Sequence, residues 1–329
     1  MQSGKNPIIV GELLGTRVEL GTPASQRQLE VIAKTAAKDG ERKAIEELRS
    51  DSKFKEEVLA KRMSVLDILD DYPSCTLDFA AYLDMLKPLS PRQYSISSSP
   101  LATPAGEDTK SNPVIASVTY DVHEAPARSG HNRIFRGVAS TYLSNKDVGA
   151  KLRCFVRATN AGFHLPRDPE VPIIMVAAGT GIAPMRGFIQ ERACLAAATA
   201  TAGGSSKLGR ALLYFGCRDA DRDFIYKDEL KAWEAQGVVE VRPAFSQAGP
   251  DGHYKYVPDR IWAEREELAG LFKDGAKIFL CGSASKLAKS ANEVFQKIWL
   301  EKHPGKTEQD AFEWLQKQRE ARYVSDVFN

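Results

Sequence analysis

The second half of the chain repeats one unit, a short apolar run followed by a longer helical pattern. The apolar runs are PIIMVAA, ALLYFGC, VVEVRPAF and KIFLCG, and helical stretches such as YKDELKAWEAQ and KLAKSANEVFQKIWL alternate with them. Strands that are apolar on both faces are typical of parallel sheets covered by crossover helices. The sequence therefore predicts a doubly wound parallel sheet over residues 171–329.

The first region of the chain has a helical pattern. Between residues 11 and 86 apolar side chains recur three and four positions apart, as expected for amphipathic helices. Thr22 stands before a proline, as at a helix start, and Ser64 with Asp67 resembles a capping box. These signals predict an all-helical layer, which we assign to residues 1–88.

The region between these two is rich in short β-type runs. They cover residues 93–97, 114–122 and 151–159, and a stretch rich in Pro, Gly, Ser and Thr at 100–113 is typical of a long hairpin loop. We expect residues 89–170 to form a small antiparallel barrel. The predicted order is thus a helical subdomain, a β-barrel and a doubly wound α/β domain.

Composition limits the classes of partner and site. The 329 residues are 43% apolar and 27% charged, which is typical of a globular chain of two or three domains. A net charge of +2 argues against a nucleic-acid or anionic-membrane surface, and no apolar stretch is long enough for a signal peptide or a spanning helix. Five cysteines without a C-x-x-C pair and five histidines without ligand spacing argue against disulfides and metal, and favour a reducing, cytoplasmic location.

The strongest chemical signal is the sequence IIMVAAGTGIAPMRGF, in which an apolar strand leads through a glycine turn into a helix. The turn consists of Gly179, Thr180 and Gly181. Small residues let backbone N–H groups approach a phosphate, and the helix N-terminus adds partial positive charge. A tight turn without a ligand is the alternative for this motif alone, but its position on the first strand of the sheet favours a nucleotide.

Seven motifs in one order resemble a known family. GTGIAP, with PIIMV before it and GFIQER after it, resembles the NADP-binding turn of the ferredoxin-NADP reductase superfamily. RQYSISSSP resembles that superfamily's flavin motif and RGVASTYL its FAD-pyrophosphate motif. YFGCRDADRDFIYKDEL, AFSQ, IFLCGSASKLAK and RYVSDVF follow in the family's order. Together with the helical region, they make the chain similar to the diflavin reductases, in particular the FAD/NADPH part of NADPH-cytochrome P-450 reductase, including its forms fused to a monooxygenase.

This resemblance implies a flavoprotein oxidoreductase with FAD and NADP as cofactors. NADPH would reduce FAD, and electrons would pass to an FMN domain, present only as a separate or missing domain, and then to a haem monooxygenase. It also implies that the FAD-binding barrel is incomplete at its N-terminal strands. Two alternatives stay open: the reductase portion of sulfite reductase or nitric oxide synthase, and a truncated, noncatalytic nucleotide-binding or interaction protein.

The resemblance also assigns flavin contacts. Arg92 would pair with the FAD pyrophosphate, Tyr94 would stack on the isoalloxazine, and Ser95 would form a hydrogen bond near the reacting nitrogen. The other expected flavin contacts are Gln93, Ile115, Ala116, Ser117, Gly137, Val138, Ala139 and Ser140. The alternatives are an ordinary amphipathic strand around Arg92 and a plain helix cap at Ser140.

At the nucleotide, Thr180 would contact the nicotinamide half, and Arg218 and Ser246 would contact the adenosine phosphate. Gln247 stands where the family usually has arginine, and replacing a charge-assisted contact by a neutral one costs ~1 to 2 kcal/mol. Lys255 and Tyr256 could compensate. We therefore expect a retained but weakened preference for NADPH.

Cys281, Ser95 and Asp326 would orient the hydride-donating carbon, again by resemblance. A buried small hydrophobe is the alternative for the cysteine. Phe328 occupies the place of an aromatic residue that stacks over the flavin and moves aside for nicotinamide. Phenylalanine is smaller than the usual tryptophan and lacks a polar group, so it should obstruct NADH less.

Overall fold

In the computed structural model the described residues are 7–102, 115–158, 162–204, 207–247 and 254–328. The chain divides into two compact units, and each is built from two stretches of sequence. The first comprises Met1–Gln93 and Val122–Ala150, and the second Tyr94–Asp121 and Lys151–Asn329. Among the described residues, no helix combines the length and apolarity needed to cross a membrane.

The first unit is mainly helical. Its helices are α1 (Val10–Thr16), α2 (Gln26–Thr35), α3 (Asp39–Glu47), α4 (Asp51–Lys53), α5 (Val65–Asp71), α6 (Phe79–Met85) and α7 (Val138–Ser144), with a π-helical turn at Phe54–Leu59. Its strands form two short antiparallel pairs, β1 (Val18–Glu19) with β2 (Lys87–Pro88), and β3 (Glu124–Pro126) with β4 (Ile134–Arg136). Helices occupy most of the region where the sequence predicts an all-helical layer, but β1 and β2 pair at its two ends.

Local capping explains where these helices begin. The expected capping box is present at α5, where the Ser64 amide donates to Asp67 (2.9 Å) and the Asp67 amide donates to the Ser64 hydroxyl (3.2 Å). The expected start at Thr22 is wrong, because α2 begins after Ser25. A reciprocal box between Ser25 and Gln28 satisfies two helix-end groups there, and Pro23 bridges to Ser64 instead.

The predicted β-type runs do not form regular strands in the described residues. Residues 93–97 and 115–122 share one isolated antiparallel bridge, Ile96 to Val118, and residues 151–158 form no strand. A strand needs a neighbour to hydrogen-bond, and no described segment pairs with 151–158, so Phe155 and Val156 are 71% and 80% exposed. Residues 103–114 and 159 lie outside the described residues. The strand assignment is therefore wrong where it can be examined, and the barrel stays a prediction.

The second unit contains a five-stranded sheet and six helices among its described residues. The strands are β5 (Ile173–Ala178), β6 (Ala211–Cys217), β7 (Glu240–Phe245), β8 (Lys277–Ser283) and β9 (Tyr323–Phe328). The helices are α8 (Ile182–Thr201), α9 (Lys227–Ala235), α10 (Val257–Ala263), α11 (Arg265–Lys273), α12 (Lys289–Lys302) and α13 (Glu308–Ala321). A 3-10 turn at Gly179–Gly181 precedes α8, and a π-helical turn at Ala284–Ala288 precedes α12.

The sheet confirms the doubly wound prediction. All neighbouring strands are parallel, in the order β7-β6-β5-β8-β9. The chain moves outward from β5 to β7 and then returns to the other side of β5, so the winding direction changes between β5 and β8. In such sheets ligands bind outside the carboxyl ends of the strands at this switch point. The apolar runs did not predict β9, which comes from the terminal RYVSDVF motif.

Both faces of the sheet are buried, which explains the continuous apolar runs. Ile174 and Val176 point into a core with α10, α11, α12 and α13. Ile173 and Met175 point into a second core on the opposite face with α8 and α9. Successive side chains of a strand point to opposite faces of the sheet. A strand whose side chains enter both cores must therefore be apolar at every position.

The 3-10 turn after β5 lies against the backbone of β8. A Cβ atom built at Gly181 would lie 2.2 Å from the carbonyl oxygen of Cys281, which is closer than any side chain can approach. Glycine is therefore the residue that lets this turn and the end of β8 approach each other.

We expect Gly181→Ala to destabilise the chain by about 2 kcal/mol or more, because the added methyl group displaces the backbone of β8. Gly270→Ala is the matched control. Nothing lies within 4 Å of a Cβ at Gly270 in α11, so that change should stabilise the chain by about 0.5–1 kcal/mol. Urea denaturation of both variants measures the difference; equal effects would contradict the close approach.

Candidate active site at the switch point

The turn between β5 and α8 is the first component of the site. Gly179 has φ +54°, in the left-handed region that glycine adopts without strain, and Thr180 is half-buried beside it. α8 begins directly after the turn, so its first N–H groups face the carboxyl edge of the sheet. This arrangement suits a phosphate-bearing ligand.

Three predicted residues are brought together beside this turn. In the ladder between β8 and β9, Cys281 is the partner of Asp326. The Ser95 hydroxyl donates to Asp326 Oδ2 at 3.0 Å, across 231 positions of sequence. A hydroxyl, a thiol and a carboxylate therefore converge at the carboxyl ends of β8 and β9.

Burial determines the state of the Cys281 thiol. The residue is 1% exposed, and burial, with the Asp326 carboxylate as the smaller cause, raises the pKa of Cys281 to about 12. The thiol is thus protonated at neutral pH. It cannot serve as a thiolate nucleophile, but it can place a neutral, polarisable group against a ligand.

Phe328 lies at the end of β9, where it pairs with Ser283 of β8. Its side chain is 47% exposed, although its backbone belongs to the sheet. The end of the described chain is therefore held in a strand, with the aromatic ring available to a ligand.

The segments expected to line the flavin ring pair with each other. The Ser97 amide donates to the Ser117 carbonyl (2.7 Å), and the Ser117 amide donates to the Ser98 hydroxyl (2.9 Å). Tyr94 packs edge-on against Tyr120, with ring centroids 5.8 Å apart. Ile115 and its neighbour Ala116 are exposed. Tyr94 thus has an aromatic neighbour, and Ile115 presents its surface to solvent.

Arg186, near the start of α8, is a residue that the motif analysis missed. Its guanidinium forms a two-pronged ion pair with Glu229 of α9 (2.7 and 3.1 Å) and donates to the Ser97 carbonyl at 2.7 Å. It also lies over the ring of Tyr226, whose hydroxyl is 2.6 Å from that of Thr119. Arg186 therefore attaches the segments around Ser97 and Thr119 to α8 and α9. An isolated charge among the apolar and small residues of MRGF was its one sequence signal.

In the first unit, Arg92 forms an ion pair with Glu19, in which its Nη2 lies 3.0 Å from Glu19 Oε2. This hydrogen bond to the guanidinium is the largest cause that lowers the pKa of Glu19. Gln93, the next residue, is exposed. Arg92 thus has a carboxylate partner already, which an anionic ligand would have to share or replace.

The RGVASTYL motif forms a compact turn in the same unit. A Cβ at Gly137 would lie 2.5 Å from the Ser140 hydroxyl and 3.2 Å from His123 Cβ, so a larger residue there would have to displace that hydroxyl. α7 begins at Val138, so Ser140, with Ala139, lies inside the first turn, and the expected helix start after Ser140 is wrong because Gly137 takes the cap position. Thr141 Oγ1 is buried without a hydrogen-bond partner in the described structure. A buried hydroxyl in this state fits a missing polar ligand.

The expected adenosine-phosphate residues also converge. The Ser246 amide donates to the Cys217 carbonyl (3.0 Å), and the Gln247 amide donates to the Arg218 carbonyl (2.8 Å). Lys255 and Tyr256 follow Tyr254, whose carbonyl accepts from the Phe245 amide (2.8 Å). These residues meet at the carboxyl ends of β6 and β7, where a nucleotide's adenosine half is expected.

Two family models match the chain. One, described as FAD binding domain, matches residues 2–142, and the other, described as Oxidoreductase NAD-binding domain, matches residues 175–293. The second match covers the glycine turn, β5 to β8 and the Cys281 position.

Curated proteins match nearly the whole chain. A self-sufficient cytochrome P450 monooxygenase of Phanerodontia chrysosporium is 42% identical over 96% of this chain and 28% of its own length. Bifunctional cytochrome P450/NADPH–P450 reductases of Bacillus subtilis and Fusarium oxysporum are 41% and 40% identical over 98% and 97% of the chain. The chain spans about 29% of the length of these relatives.

We expect Arg186→Leu to destabilise the chain by about 2–3 kcal/mol, because it leaves the Ser97 carbonyl without its charged donor and removes an ion pair whose guanidinium side is largely buried. Arg186→Lys should recover part of this loss. Arg153→Leu, at an exposed position, is the control and should change stability by less than about 0.5 kcal/mol. Chemical denaturation measures all three; an Arg186→Leu value equal to the control would refute the tethering role.

Proposed function

Since the chain belongs to the diflavin reductase family of FAD- and NAD-binding oxidoreductases, we propose that it is the part that takes reducing equivalents from NADPH into FAD. The observation that supports this most is the convergence of Ser95, Cys281 and Asp326 beside the glycine turn at the switch point. We propose a helical subdomain (1–88), an antiparallel FAD-binding barrel (89–170) and an NADP-binding domain (171–329).

Bound FAD would supply the chemistry, by accepting a hydride and releasing single electrons. The protein's contribution is to hold and orient. Gly137, Val138, Ala139 and Ser140 would approach the pyrophosphate with backbone N–H groups and a hydroxyl, and the unpartnered Thr141 hydroxyl fits that role. Arg92 would add a guanidinium once it shares or leaves Glu19.

The site residues would act by positioning and by holding protons. The Ser95 hydroxyl donates a hydrogen bond to Asp326 and would keep that carboxylate fixed at the edge of the sheet. Cys281 stays neutral because its pKa is raised by burial, so it can lie against an uncharged ring without a desolvation cost. Tyr94 would offer an aromatic face beside Ser95, and the backbone of Ile115, Ala116 and Ser117 would line the same ring.

We propose an FMN-binding domain as the electron acceptor and a haem monooxygenase beyond it. The names of the similar proteins, in which a cytochrome P450 and an NADPH–P450 reductase form one protein, support the monooxygenase. The cysteine pattern supports a cytoplasmic location. The reductase portions of sulfite reductase and nitric oxide synthase differ in the acceptor, so an acceptor assay with a P450 separates them.

We propose that NADPH preference is retained but weakened. Arg218 and Ser246 would contact the 2′-phosphate, and the backbone hydrogen bonds between their loops support this, while Gln247 would supply an amide where a guanidinium is stronger. Lys255 and Tyr256 lie near enough in the chain to contribute a charge and a hydroxyl.

The proposed activity is tested with purified chain reconstituted with FAD. We expect a flavin absorbance spectrum and reduction of ferricyanide by NADPH. Ser95→Ala should keep the FAD content and lower the rate of flavin reduction roughly 10- to 100-fold, because Asp326 loses its hydrogen bond. Ser290→Ala is the control, since that hydroxyl donates to carbonyls of the π-helical turn just before α12. Absence of FAD binding would exclude this function for the chain.

The aromatic residue at the end of β9 gives a second test. Deleting Phe328 and Asn329 should raise kcat/KM for NADH more than for NADPH, because NADPH can draw on its 2′-phosphate contacts to displace the ring, whereas NADH lacks that binding energy. Phe328→Trp should lower kcat/KM for NADH relative to kcat/KM for NADPH. Steady-state kinetics with both nucleotides measures it; identical responses to both nucleotides would rule out the gate.

A further inference from the structure

The loop after β6 places a carboxylate on the arginine of the proposed adenosine subsite. Asp223 accepts hydrogen bonds from the backbone amides of Arg218 (2.9 Å) and Asp219 (2.6 Å), and from Arg218 Nε (3.0 Å). Burial alone would raise the pKa of Asp223, but these donors outweigh it and lower the pKa. The carboxylate is therefore charged at neutral pH and lies on the Arg218 guanidinium.

Arg218 is also the residue of this loop that adjoins the loop after β7. The Gln247 amide donates to the Arg218 carbonyl, and the Ser246 amide donates to the neighbouring Cys217 carbonyl. The Arg218 side chain is 71% exposed, whereas that of Asp223 is 25% exposed. The cation is thus accessible from solvent near the ends of β6 and β7, and its carboxylate partner is the more buried of the two.

The charges of this loop do not favour a dianion. Between Arg218 and Asp223 the sequence RDADRD contains two basic and three acidic residues, a formal charge of −1. Asp221 pairs with Lys227 at 2.9 Å, away from Arg218. Arg222, the second basic residue of the loop, is exposed, and Lys255 of the proposed subsite is exposed beside the Tyr256 ring. A 2′-phosphate would therefore meet a guanidinium whose charge is largely compensated.

We propose that Asp223 is a specificity-determining residue: by neutralising Arg218 it lets the adenosine subsite accept a ribose with or without a 2′-phosphate, so the chain uses NADH as well as NADPH. This rests on the proposed function, because it takes Arg218 as the phosphate contact. It adds a reason for weak discrimination that is independent of Gln247.

Asp223 also stabilises its loop through the two backbone amides. An asparagine can still accept those hydrogen bonds through its carbonyl oxygen, but it carries no charge. Asp223→Asn therefore separates the electrostatic role from the structural one. Asp221→Asn is the matched control, with the same change of charge in the same loop on a carboxylate that is 86% exposed and paired with Lys227.

The test measures the affinity of the chain for adenosine 2′,5′-bisphosphate and for 5′-AMP by calorimetry, which requires no flavin turnover. We expect Asp223→Asn to bind the 2′-phosphorylated ligand roughly three- to tenfold more tightly and 5′-AMP within twofold of the original chain. Asp221→Asn should change both by less than about twofold. Equal gains for the two ligands, or equal effects of the two variants, would overturn the proposal.

Arg218→Gln gives a second measurement that does not depend on the folding of Asp223→Asn. In the original chain this change should weaken binding of the bisphosphate less than about threefold, since the guanidinium is compensated. In a chain that also carries Asp223→Asn, Arg218→Gln should lower the affinity for the bisphosphate roughly tenfold. A double-mutant cycle measures this difference. A tenfold loss in the original chain would overturn the proposal.

Failure of the proposed nucleotide function and failure of the proposed role of Asp223 give different results. If the original chain binds neither ligand, the proposed nucleotide function is excluded and this inference with it. If the chain binds both ligands and Asp223→Asn behaves like Asp221→Asn, the nucleotide function stands and only the role of Asp223 is wrong.

Discussion

The close backbone contact between Gly181 and Cys281 is the constraint on which the site depends. Because no side chain separates them, the turn after β5 and the end of β8 lie at one level of the sheet. The ladder from β8 to β9 then places Asp326 beside Cys281, and Asp326 binds Ser95. Four distant parts of the sequence thus meet around this contact between main chains. The contact leaves no room for a side chain at position 181.

A second set of interactions positions the segments that bear Ser95 and Ser117. Arg186 joins the Ser97 carbonyl to Glu229, so these segments are attached to α8 and α9 within the same compact unit. Ser99 adds a contact, since its amide donates to Gln190 of α8 (2.8 Å). The geometry around Ser95 is therefore held by α8 and α9, although the described residues around it form no regular barrel strand.

The sequence predicted best those features that local chemistry determines. The doubly wound sheet followed from runs that must be apolar because both faces are buried, and the Ser64 capping box followed from spacing of three residues. The motif analysis missed features that need distant partners: Arg186 pairs with Glu229 across 43 positions, and β9 is a strand only because β8 lies beside it. The predicted strand at 151–158 is wrong for the same reason. This segment has the composition of a strand, but no described segment pairs with it.

Burial of Cys281 has a consequence for the durability of the protein. With a pKa of about 12, only about one molecule in 10⁵ carries the thiolate at pH 7, and the thiolate is the form that peroxides and alkylating agents attack. The sulfur at the centre of the site is therefore protected from oxidative damage by the same packing that keeps it neutral. The buried position thus lets the chain keep a cysteine in the candidate site without exposing it to these reagents.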